Sequence, residues 1–187
     1  MSGDDHQSLA PAAWLIMNRA LLPPSGRALD LACGRGRHAL WLARQGFATT
    51  AIDRDPSAVA ALGTRARQEE LSLTALAMDL EGGAADLGTG VYDVLVVVHY
   101  LHRPLFPALR AALTPGGVLV YETFTVAQAA RGRPTNPAFL LEPGELPRLV
   151  APLEVLAARE GDFEERMVSS VVARRGESRA PAPPRRP

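Results

Sequence analysis

Three aspartates and two glycines stand at the ends of apolar segments, where polar side chains can meet a ligand. Asp30 ends one such segment and is followed by Gly34 and Gly36. Asp53 ends the second segment, and Asp79 follows the third. Glycine lets the backbone pass close to a ligand in dihedrals that a Cβ would penalise, and a helix that begins after such a turn presents free N–H groups to a carboxylate or phosphate. These features predict a ligand site built around the glycine turn.

Each aspartate suits a different part of a ligand. Asp30 is placed to attract a cationic ammonium or sulfonium, directly or through water. Asp53 can accept charge-assisted hydrogen bonds from both hydroxyls of a ribose. Asp79 can accept a hydrogen bond from the exocyclic amine of an adenine that is flanked by apolar side chains. The competing interpretations are a helix cap for Asp53, a role that Asp55 fills better, and a solvated loop position for Asp79.

The same glycine turn also satisfies a dinucleotide fingerprint. Gly34, Gly36 and Ala39 match the pattern G-x-G-x-x-A, and Asp53 would serve a dinucleotide equally well. However, a carboxylate at Asp30 would lie badly beside a pyrophosphate. The chain also lacks room for the separate substrate domain that many dehydrogenases carry. Both features favour a cationic ligand over a dinucleotide.

Two polar rings, His99 and Tyr100, follow the fourth predicted strand. We predict both as catalytic residues that orient a nucleophile or take its proton, because the ordinary pKa of histidine suits proton transfer near neutral pH. His102 stands three residues after His99. Two histidines without further matched ligands rarely form a zinc site, so we predict no metal.

The elements that must position these residues alternate between strand and helix. Such alternation predicts one α/β domain with a doubly wound, mostly parallel sheet and ligands at the carboxyl ends of its strands. Glycine, proline and N-cap signals set the ends of the helices. We predict helices over 11–22, 37–45, 56–70, 104–113 and 143–150, strands over 28–32, 48–52, 73–77, 92–98, 118–124, 153–158 and 167–174, a turn over 115–117, and loops over 81–90 and 125–141.

The composition is that of an ordinary globular protein. The chain has 187 residues, of which 47% are hydrophobic and 21% charged. Its 20 basic residues balance 20 acidic ones, which argues against a dedicated nucleic-acid binder. The single cysteine, Cys33, excludes an intramolecular disulfide. The N-terminus lacks the pattern of a signal peptide, and no apolar run is long enough to span a bilayer, so we expect a cytoplasmic protein without membrane partners.

Taken in order, these motifs resemble those of class I S-adenosylmethionine-dependent methyltransferases over residues 27–174. The co-occurrence of the motifs in order is far more specific than any one of them. Residues 29–36 resemble the first motif of that family, 51–53 its ribose motif, 78–79 its adenine motif, 92–94 the lead into its fourth-strand motif, and 113–119 the entry to its fifth strand.

The resemblance implies a single-domain, Rossmann-like sheet of seven strands in which the last two form a reversed pair. It implies S-adenosylmethionine as the cofactor and S-adenosylhomocysteine as the product. It assigns a methyltransferase domain to residues 25–175, between an N-terminal arm and helix (1–24) and a Pro/Arg-rich tail (176–187) that we expect to be disordered. The residues that it assigns to the cofactor are Asp30, Gly34, Gly36, Arg37 (for the carboxylate), Asp53, Arg54, Met78, Asp79, Leu80 and Val98.

Within this class the chain is most similar to the small bacterial branch named for tellurite-resistance methyltransferases. The shared residues are 34–38, 121–124 and 136–146. By this resemblance the loop after the fifth strand should cover the substrate pocket, where arginines could recognise an anion in bidentate fashion. The predicted substrate residues are Glu122, Arg131, Arg133, Asn136 and Phe139.

A small-molecule acceptor is the simplest hypothesis, because the chain carries no appended recognition domain. Thiols, selenols and metalloid anions are candidates, since soft nucleophiles need little base assistance. Two alternatives remain open. The first is methylation of RNA or a protein, for which the arginines of the tail could contact phosphates. The second is a cofactor-binding protein that transfers no methyl group. We expect a monomer or a homodimer.

Overall fold

The computed structural model describes residues 10–82 and 86–177. The first nine residues of the predicted N-terminal arm, and residues 178–187 of the predicted tail, lie outside the described residues. Within the described ranges, no helix is both long and apolar enough to cross a membrane.

Seven strands and five α-helices make up the described chain. The strands are β1 (Gly26–Leu31), β2 (Phe47–Asp53), β3 (Leu73–Ala77), β4 (Tyr92–Val98), β5 (Leu113–Phe124), β6 (Glu154–Phe163) and β7 (Arg166–Arg174). The α-helices are α1 (Ala13–Met17), α2 (Arg37–Arg44), α3 (Pro56–Gln68), α4 (Phe106–Ala112) and α5 (Glu145–Val150). Short 3-10 helices cover Arg19–Leu21, Arg103–Leu105, Val126–Ala130 and Pro137–Phe139.

The strands form one sheet in the order β3-β2-β1-β4-β5-β7-β6. Strands β1 to β5 run parallel, whereas β7 is antiparallel to both β5 and β6. The predicted Rossmann-like sheet with a reversed last pair is therefore confirmed. Because β1 lies between β2 and β4, the strand order reverses there, and the crevice beyond the carboxyl ends of these strands is where such sheets bind ligands.

Strand β4 shows why both faces of the sheet are covered. Its residues Leu95 and Val97 pack into a cluster with side chains of α4 and α5. The alternate residues Val94, Val96 and Val98 pack into a second cluster with side chains of α1 and α2. A continuous apolar strand is expected where helices cover both faces, as the sequence predicted.

Local sequence signals place the helices that lead away from the carboxyl edge. The Asp55 carboxylate accepts a hydrogen bond from the Ser57 N–H at 2.8 Å, and Pro56 occupies the first helical position of α3. Gly36 begins α2 with a left-handed backbone (φ 76°). These caps fix where each helix starts relative to the strand before it.

The first helix is shorter than predicted. The α-helix ends at Met17, because the Asn18 side-chain amide donates to the Trp14 carbonyl at 2.8 Å, and a 3-10 turn continues to Leu21. The helix predicted over 104–113 likewise begins as a 3-10 turn and ends at Ala112.

The predicted turn over 115–117 is wrong, because these residues belong to β5. Gly116 N–H donates to the Arg175 carbonyl at 2.9 Å, and Arg175 N–H donates to the Gly117 carbonyl at 2.8 Å. Pairing with the end of the last strand therefore overrides the local turn signal. The final strands are also longer than predicted, and only Glu164 and Glu165, both with positive φ, separate β6 from β7.

A buried ion pair ties the last three strands of the sheet together. The Glu122 carboxylate of β5 accepts hydrogen bonds from Ser170 Oγ of β7 at 2.6 Å and from Arg159 Nη2 of β6 at 3.0 Å. The side chains of Glu122 and Arg159 are only 8% and 16% exposed. The Arg159 guanidinium also lies over the rings of Trp14 and Phe163. Glu122 therefore has a structural role in joining the strands.

Arg159→Met should leave the Glu122 carboxylate buried without its cation. We expect this variant to lower the free energy of unfolding by about 3 kcal/mol, measured by chemical denaturation. The matched double variant, Glu122→Gln with Arg159→Met, removes both charges and should recover most of the loss. Equal losses in the single and double variants would show that the ion pair is not what stabilises this region.

Candidate functional site

A cavity of about 300 Å³ opens at the carboxyl edge of the sheet. One side, here called the β2–β3 end, is lined by Asp53, Arg54, Met78, Asp79, Leu80 and Glu81. The other side, here called the β4–β5 end, is lined by His99, Phe124, Pro134 and Phe139. Ala32, Tyr100 and Leu101 complete the wall. The cavity lies where the strand order reverses, which is the expected position for a ligand in this kind of sheet.

The two glycines of the turn after β1 are needed for different reasons. Both have left-handed backbones, with φ of 53° at Gly34 and 76° at Gly36. A Cβ at Gly36 would overlap the Leu62 side chain of α3, so this glycine permits close packing. A Cβ at Gly34 would meet no atom within 4 Å, so this glycine faces open space. Gly34 is the one that allows a ligand to approach the backbone.

Asp53 holds the glycine turn in place. Its Oδ2 accepts a hydrogen bond from the Gly34 N–H at 2.7 Å, and its Oδ1 accepts one from the Asp55 N–H at 3.0 Å. Each carboxylate oxygen can accept more than one hydrogen bond, so both remain available to a ligand. The cap of α3 is Asp55, as the sequence indicated.

Asp79 lies at the mouth of the β2–β3 end. Its Oδ1 accepts a hydrogen bond from the Glu81 N–H at 2.9 Å, which bends the chain after β3. Met78 and Leu80 flank it and line the same cavity. The Asp79 carboxylate is thus an acceptor flanked in sequence by two apolar residues, and its contact with an adenine amine stays a prediction.

Asp30 is buried beside the cavity and does not line it. Its Oδ2 accepts a hydrogen bond from the Ala39 N–H of α2 at 2.9 Å. Its Oδ1 has no hydrogen-bond partner among the described residues. Burial raises the pKa of this carboxyl to about 7, although the nearby Arg37 charge opposes the shift. A buried carboxyl with one free oxygen suits either a proton or a nearby cation.

His38 is a buried polar residue for which no role was predicted from the sequence. Its Nδ1 lies 3.9 Å from Asp30 Oδ1, and burial lowers its pKa to about 3. The imidazole is therefore neutral near pH 7 and does not form an ion pair with Asp30. Its Nε2 has no hydrogen-bond partner among the described residues. The hydrophobic surroundings that cause this appear only when α2 packs on the sheet.

The backbone is strained at the ends of β1 and β4. Ala32 and His99 have positive φ values of 53° and 59°, although neither is glycine. Each such residue costs of order 1 kcal/mol, and strain of this kind concentrates at functional sites. The His99 N–H is held by the Glu122 carbonyl at 2.8 Å. Both strained residues line the cavity.

The two predicted catalytic rings point to different parts of the site. The His99 ring stacks on Phe124 with centroids 4.6 Å apart. Burial, followed by the charges of Arg166 and Arg37, lowers the pKa of His99 to about 4. The Tyr100 hydroxyl is buried without a hydrogen-bond partner among the described residues, and burial together with Glu81 raises its pKa. Neither ring is therefore a strong base near neutral pH.

Cys33 lies in the glycine turn but is buried. Burial, reinforced by the negative charges of Asp30 and Asp53, raises the pKa of its thiol well above the usual range. A thiol that stays protonated is a poor nucleophile, so this cysteine is unreactive.

Of three further predicted cofactor residues, Arg54 lines the cavity, whereas Val98 and Arg37 do not. Val98 is the buried last residue of β4, and Arg54 is exposed and lines the cavity. Arg37 is the half-buried first residue of α2, and its Nη1 donates to the Ala10 carbonyl at 3.4 Å. Burial and the neighbouring charge of Arg166 lower the pKa of Arg37.

Of the five predicted substrate residues, Phe139 alone lines the cavity. Arg131 pairs with Asp162 at 2.7 Å, and the Asn136 carboxamide oxygen accepts a hydrogen bond from the Ala138 N–H at 3.0 Å. Arg133 is exposed, while its neighbour Pro134 lines the cavity. The fifth residue, Glu122, is occupied by the buried ion pair described above.

Arg103 anchors the segment that carries Phe139, a role that sequence patterns did not indicate. Its Nε donates to Glu145 Oε1 at 2.6 Å and its Nη2 to Glu145 Oε2 at 2.9 Å. The same Nη2 donates to the Leu140 carbonyl at 2.9 Å, and Nη1 donates to the Ala138 carbonyl at 3.1 Å. These bonds hold the segment that carries Phe139. The partners are 42 residues apart, so no local pattern predicts them.

Comparison with known proteins gives a family for part of the chain. Residues 28–117 match the family model described as a methyltransferase domain. Among curated proteins, Hemagglutinin 1 of Eikenella corrodens is 34% identical over 95 residues, which are 49% of this chain and 32% of that protein. This chain therefore spans about a third of the length of the curated relative that it matches.

Solved structures share the fold. An S-adenosylmethionine-dependent methyltransferase from Mesorhizobium loti has a TM-score of 0.70 at 21% identity, over 89% of this chain and 100% of that one. TehB from Haemophilus influenzae has a TM-score of 0.71 at 20% identity, over 87% of this chain and 61% of that one. The matched domain, which covers just under half of the chain, and the shared fold agree with the predicted resemblance to class I methyltransferases. Residues 28–117 thus match a methyltransferase domain, and the sheet has the fold of solved S-adenosylmethionine-dependent methyltransferases.

Proposed function

We propose that this chain transfers a methyl group from S-adenosylmethionine to a small-molecule nucleophile. The observation that carries this proposal is the cavity at the carboxyl edge, where Asp53, which is hydrogen-bonded to the Gly34 turn, and Asp79 lie opposite a second end lined by rings. S-adenosylmethionine supplies a methyl group that its sulfonium charge activates. The residues of the chain must then bind that cofactor, orient the acceptor and exclude water.

The β2–β3 end suits the nucleoside of the cofactor. Asp53 keeps free acceptor positions for the ribose hydroxyls, and Asp79 presents its carboxylate between Met78 and Leu80 to the adenine amine. Arg54 lies beside them on the same wall. The Tyr100 hydroxyl is close enough to Glu81 and Asp79 to feel their charge, so it belongs to this end rather than to the acceptor.

The glycine turn and its surroundings suit the amino-acid part of the cofactor. Open space at Gly34 lets the ligand approach the backbone N–H groups. The free Asp30 Oδ1 is an acceptor for a cationic ammonium, directly or through water. Arg37 supplies a counter-charge for the carboxylate. Gly36 and Val98 shape the wall through the backbone.

The β4–β5 end of the cavity is the part proposed to bind the methyl acceptor. His99 is neutral and presents a ring that can orient a nucleophile, and Phe139 covers the opening. Rate then comes chiefly from holding the two reactants together and excluding water, a contribution that can reach roughly 7–11 kcal/mol. A soft nucleophile that needs little base assistance fits this end.

We place the chain in the tellurite-resistance branch on the residues shared at 34–38, 121–124 and 136–146. The likeness to TehB supports the fold of that branch and not its substrate. Arg131, Arg133 and Asn136 remain candidates for substrate contact on the covering loop. Reaching the cavity would require Arg131 to leave its pair with Asp162.

Asp53→Ala should weaken the binding of S-adenosylhomocysteine at least tenfold, because two charge-assisted hydrogen bonds to the ribose are lost. Isothermal titration calorimetry measures the affinity, and circular dichroism checks the fold. The sharper test uses the 2′-deoxy analogue of the ligand. Wild-type protein should bind it more weakly than the parent, whereas Asp53→Ala should not distinguish the two. A variant that keeps the wild-type preference contradicts the ribose role.

Binding of S-adenosylmethionine near pH 7 should release protons from Asp30. The pKa of Asp30 is about 7 in the free protein, so the carboxyl is partly protonated there. A cation placed beside it favours the ionised form and lowers the pKa, so protons leave as the ligand binds. Calorimetry in two buffers of different ionisation enthalpy counts them. Asp30→Asn should abolish the release, and an unchanged proton count in that variant rules Asp30 out as its source.

Gly34→Ala and Gly36→Ala should separate binding from stability. Gly36→Ala forces a Cβ into Leu62 in a left-handed backbone and should lower the free energy of unfolding by roughly 3 kcal/mol. Gly34→Ala should lower the free energy of unfolding by only about 1 kcal/mol, the cost of the backbone strain. Its new methyl group would narrow the approach to the turn and should weaken cofactor binding at least tenfold. Denaturation and calorimetry measure the two effects. Equal profiles for both variants would contradict the division of roles.

A further inference from the structure

The β4–β5 end of the cavity is built from flat, mostly apolar side chains. His99 and Phe124 stack with an interplanar angle of 23°, and Pro134 and Phe139 face the same space. The Phe139 side chain is 47% exposed, and of the exposed large apolar side chains among the described residues it is the one that lines the cavity. Because aromatic rings prefer offset-stacked or edge-to-face neighbours, this end suits a planar group.

An exposed arginine, Arg166, lies near these rings at the carboxyl edge, close enough for its charge to act on His99, although it does not itself line the cavity. Phe124 of β5 pairs with Val168 of β7, and Arg166 lies two residues before Val168 on the same face of the sheet. Its side chain therefore lies at the carboxyl edge, beyond the end of β5. Within residues 10–82 and 86–177, Arg166 forms no side-chain hydrogen bond or ion pair. The positive charge of Arg166 lowers the pKa of both His99 and Arg37.

The other charged residues around the β4–β5 end are paired or lie elsewhere in the fold. Glu122 is paired with Arg159, and the Arg37 charge is assigned above to the cofactor carboxylate. Asp30 of β1 and His38 of α2 are both buried, and the His38 imidazole is neutral. Glu164 lies near Arg37, in the turn before Arg166. Arg133 of the covering loop is exposed, and Arg54 lines the β2–β3 end. Among the described residues, Arg166 and Arg37 are the cations whose charges lower the pKa of His99, and of these two Arg166 has no role toward the cofactor.

The rings at this end do not supply a base for the acceptor. The pKa of His99 is about 4, and burial holds the Cys33 thiol protonated. The acceptor must therefore reach the site already ionised, having given its proton to water. A positive charge nearby favours that ionised form.

We propose that the methyl acceptor is a small aromatic molecule whose acidic group, such as a thiol, binds in its ionised form. The ring of the acceptor would lie against His99, Phe124 and Phe139, and its negative charge would face Arg166. This rests on the proposed function and names the substrate class of the same site. For an aromatic thiol, the thiolate sulfur forms the new bond to the methyl carbon. The former sulfonium sulfur keeps the electron pair of the bond that breaks, and no proton moves in the transfer step.

The direct test is the ionisation of an aromatic thiol on the protein. Thiophenol is titrated in the presence of saturating S-adenosylhomocysteine, so that no methyl transfer occurs, and its thiolate is followed by difference absorbance. The wild-type protein should lower the pKa of the bound thiol by about one unit or more, as expected for a nearby opposite charge. Arg166→Gln should return at least half of that shift, and Arg166→Lys should retain most of it.

Arg67→Gln is the matched control, since it removes an exposed arginine of α3 whose guanidinium donates a hydrogen bond to Thr64 Oγ1 at 3.1 Å. It should leave the thiol pKa unchanged. Thiophenol that does not bind, or that ionises on the wild-type protein as it does in water, overturns the inference. Binding of S-adenosylhomocysteine is measured first by calorimetry. If that binding is absent, the proposed function fails, whereas intact binding with no effect on the thiol refutes the acceptor class alone.

The ring requirement is tested by Phe139→Ala with two thiols of matched acidity, one aromatic and one aliphatic. Loss of the Phe139 ring should raise the KM for the aromatic thiol about tenfold and leave that for the aliphatic thiol within twofold. Phe139→Tyr should behave as the wild-type protein. Equal effects on both thiols would show that Phe139 only closes the cavity and does not recognise the ring of the acceptor.

Discussion

The hydrogen bond from the Gly34 N–H to the Asp53 carboxylate organises the whole site, because it joins the turn after β1 to the end of β2. The second oxygen of Asp53 receives the Asp55 N–H, and Asp55 in turn caps α3. The position of the glycine turn, the end of the second strand and the start of α3 are thus linked through one carboxylate. A ligand that binds Asp53 therefore contacts a carboxylate whose position depends on the geometry of the turn.

The site divides into two chemical environments along the carboxyl edge. Carboxylates and their backbone donors dominate the β2–β3 end, where polar groups of a nucleoside can be matched. Rings dominate the β4–β5 end, where burial keeps His99 neutral. Asp30 lies between them, buried and with one free oxygen. A cationic cofactor fits this layout, because its charge would meet a carboxyl on one side and an anionic acceptor on the other.

Much of the fold and of the cofactor end could be read from local patterns. The order of strands and helices, the cap at Asp55 and the acids that end β1 and β2 follow from periodicity, capping and glycine chemistry. Prediction failed where long-range pairing outweighed a local signal, as in the turn over 115–117 that became part of β5. It was silent on contacts between distant residues, such as Arg103 with Glu145 or Arg159 with Glu122, because nothing in the spacing of these residues links them.

The sequence by itself determined the alternating fold and the acidic strand ends proposed to bind the cofactor, because both depend on residue types within a few positions of one another. Only the tertiary structure decided which predicted substrate residues meet the cavity and what their charges are. Phe139 reaches it because Arg103 holds its loop, while Glu122 and Arg131 are taken by ion pairs with β6. Burial, which exists only in the packed state, made His99 a weak base and Asp30 a carboxyl that titrates near neutral pH.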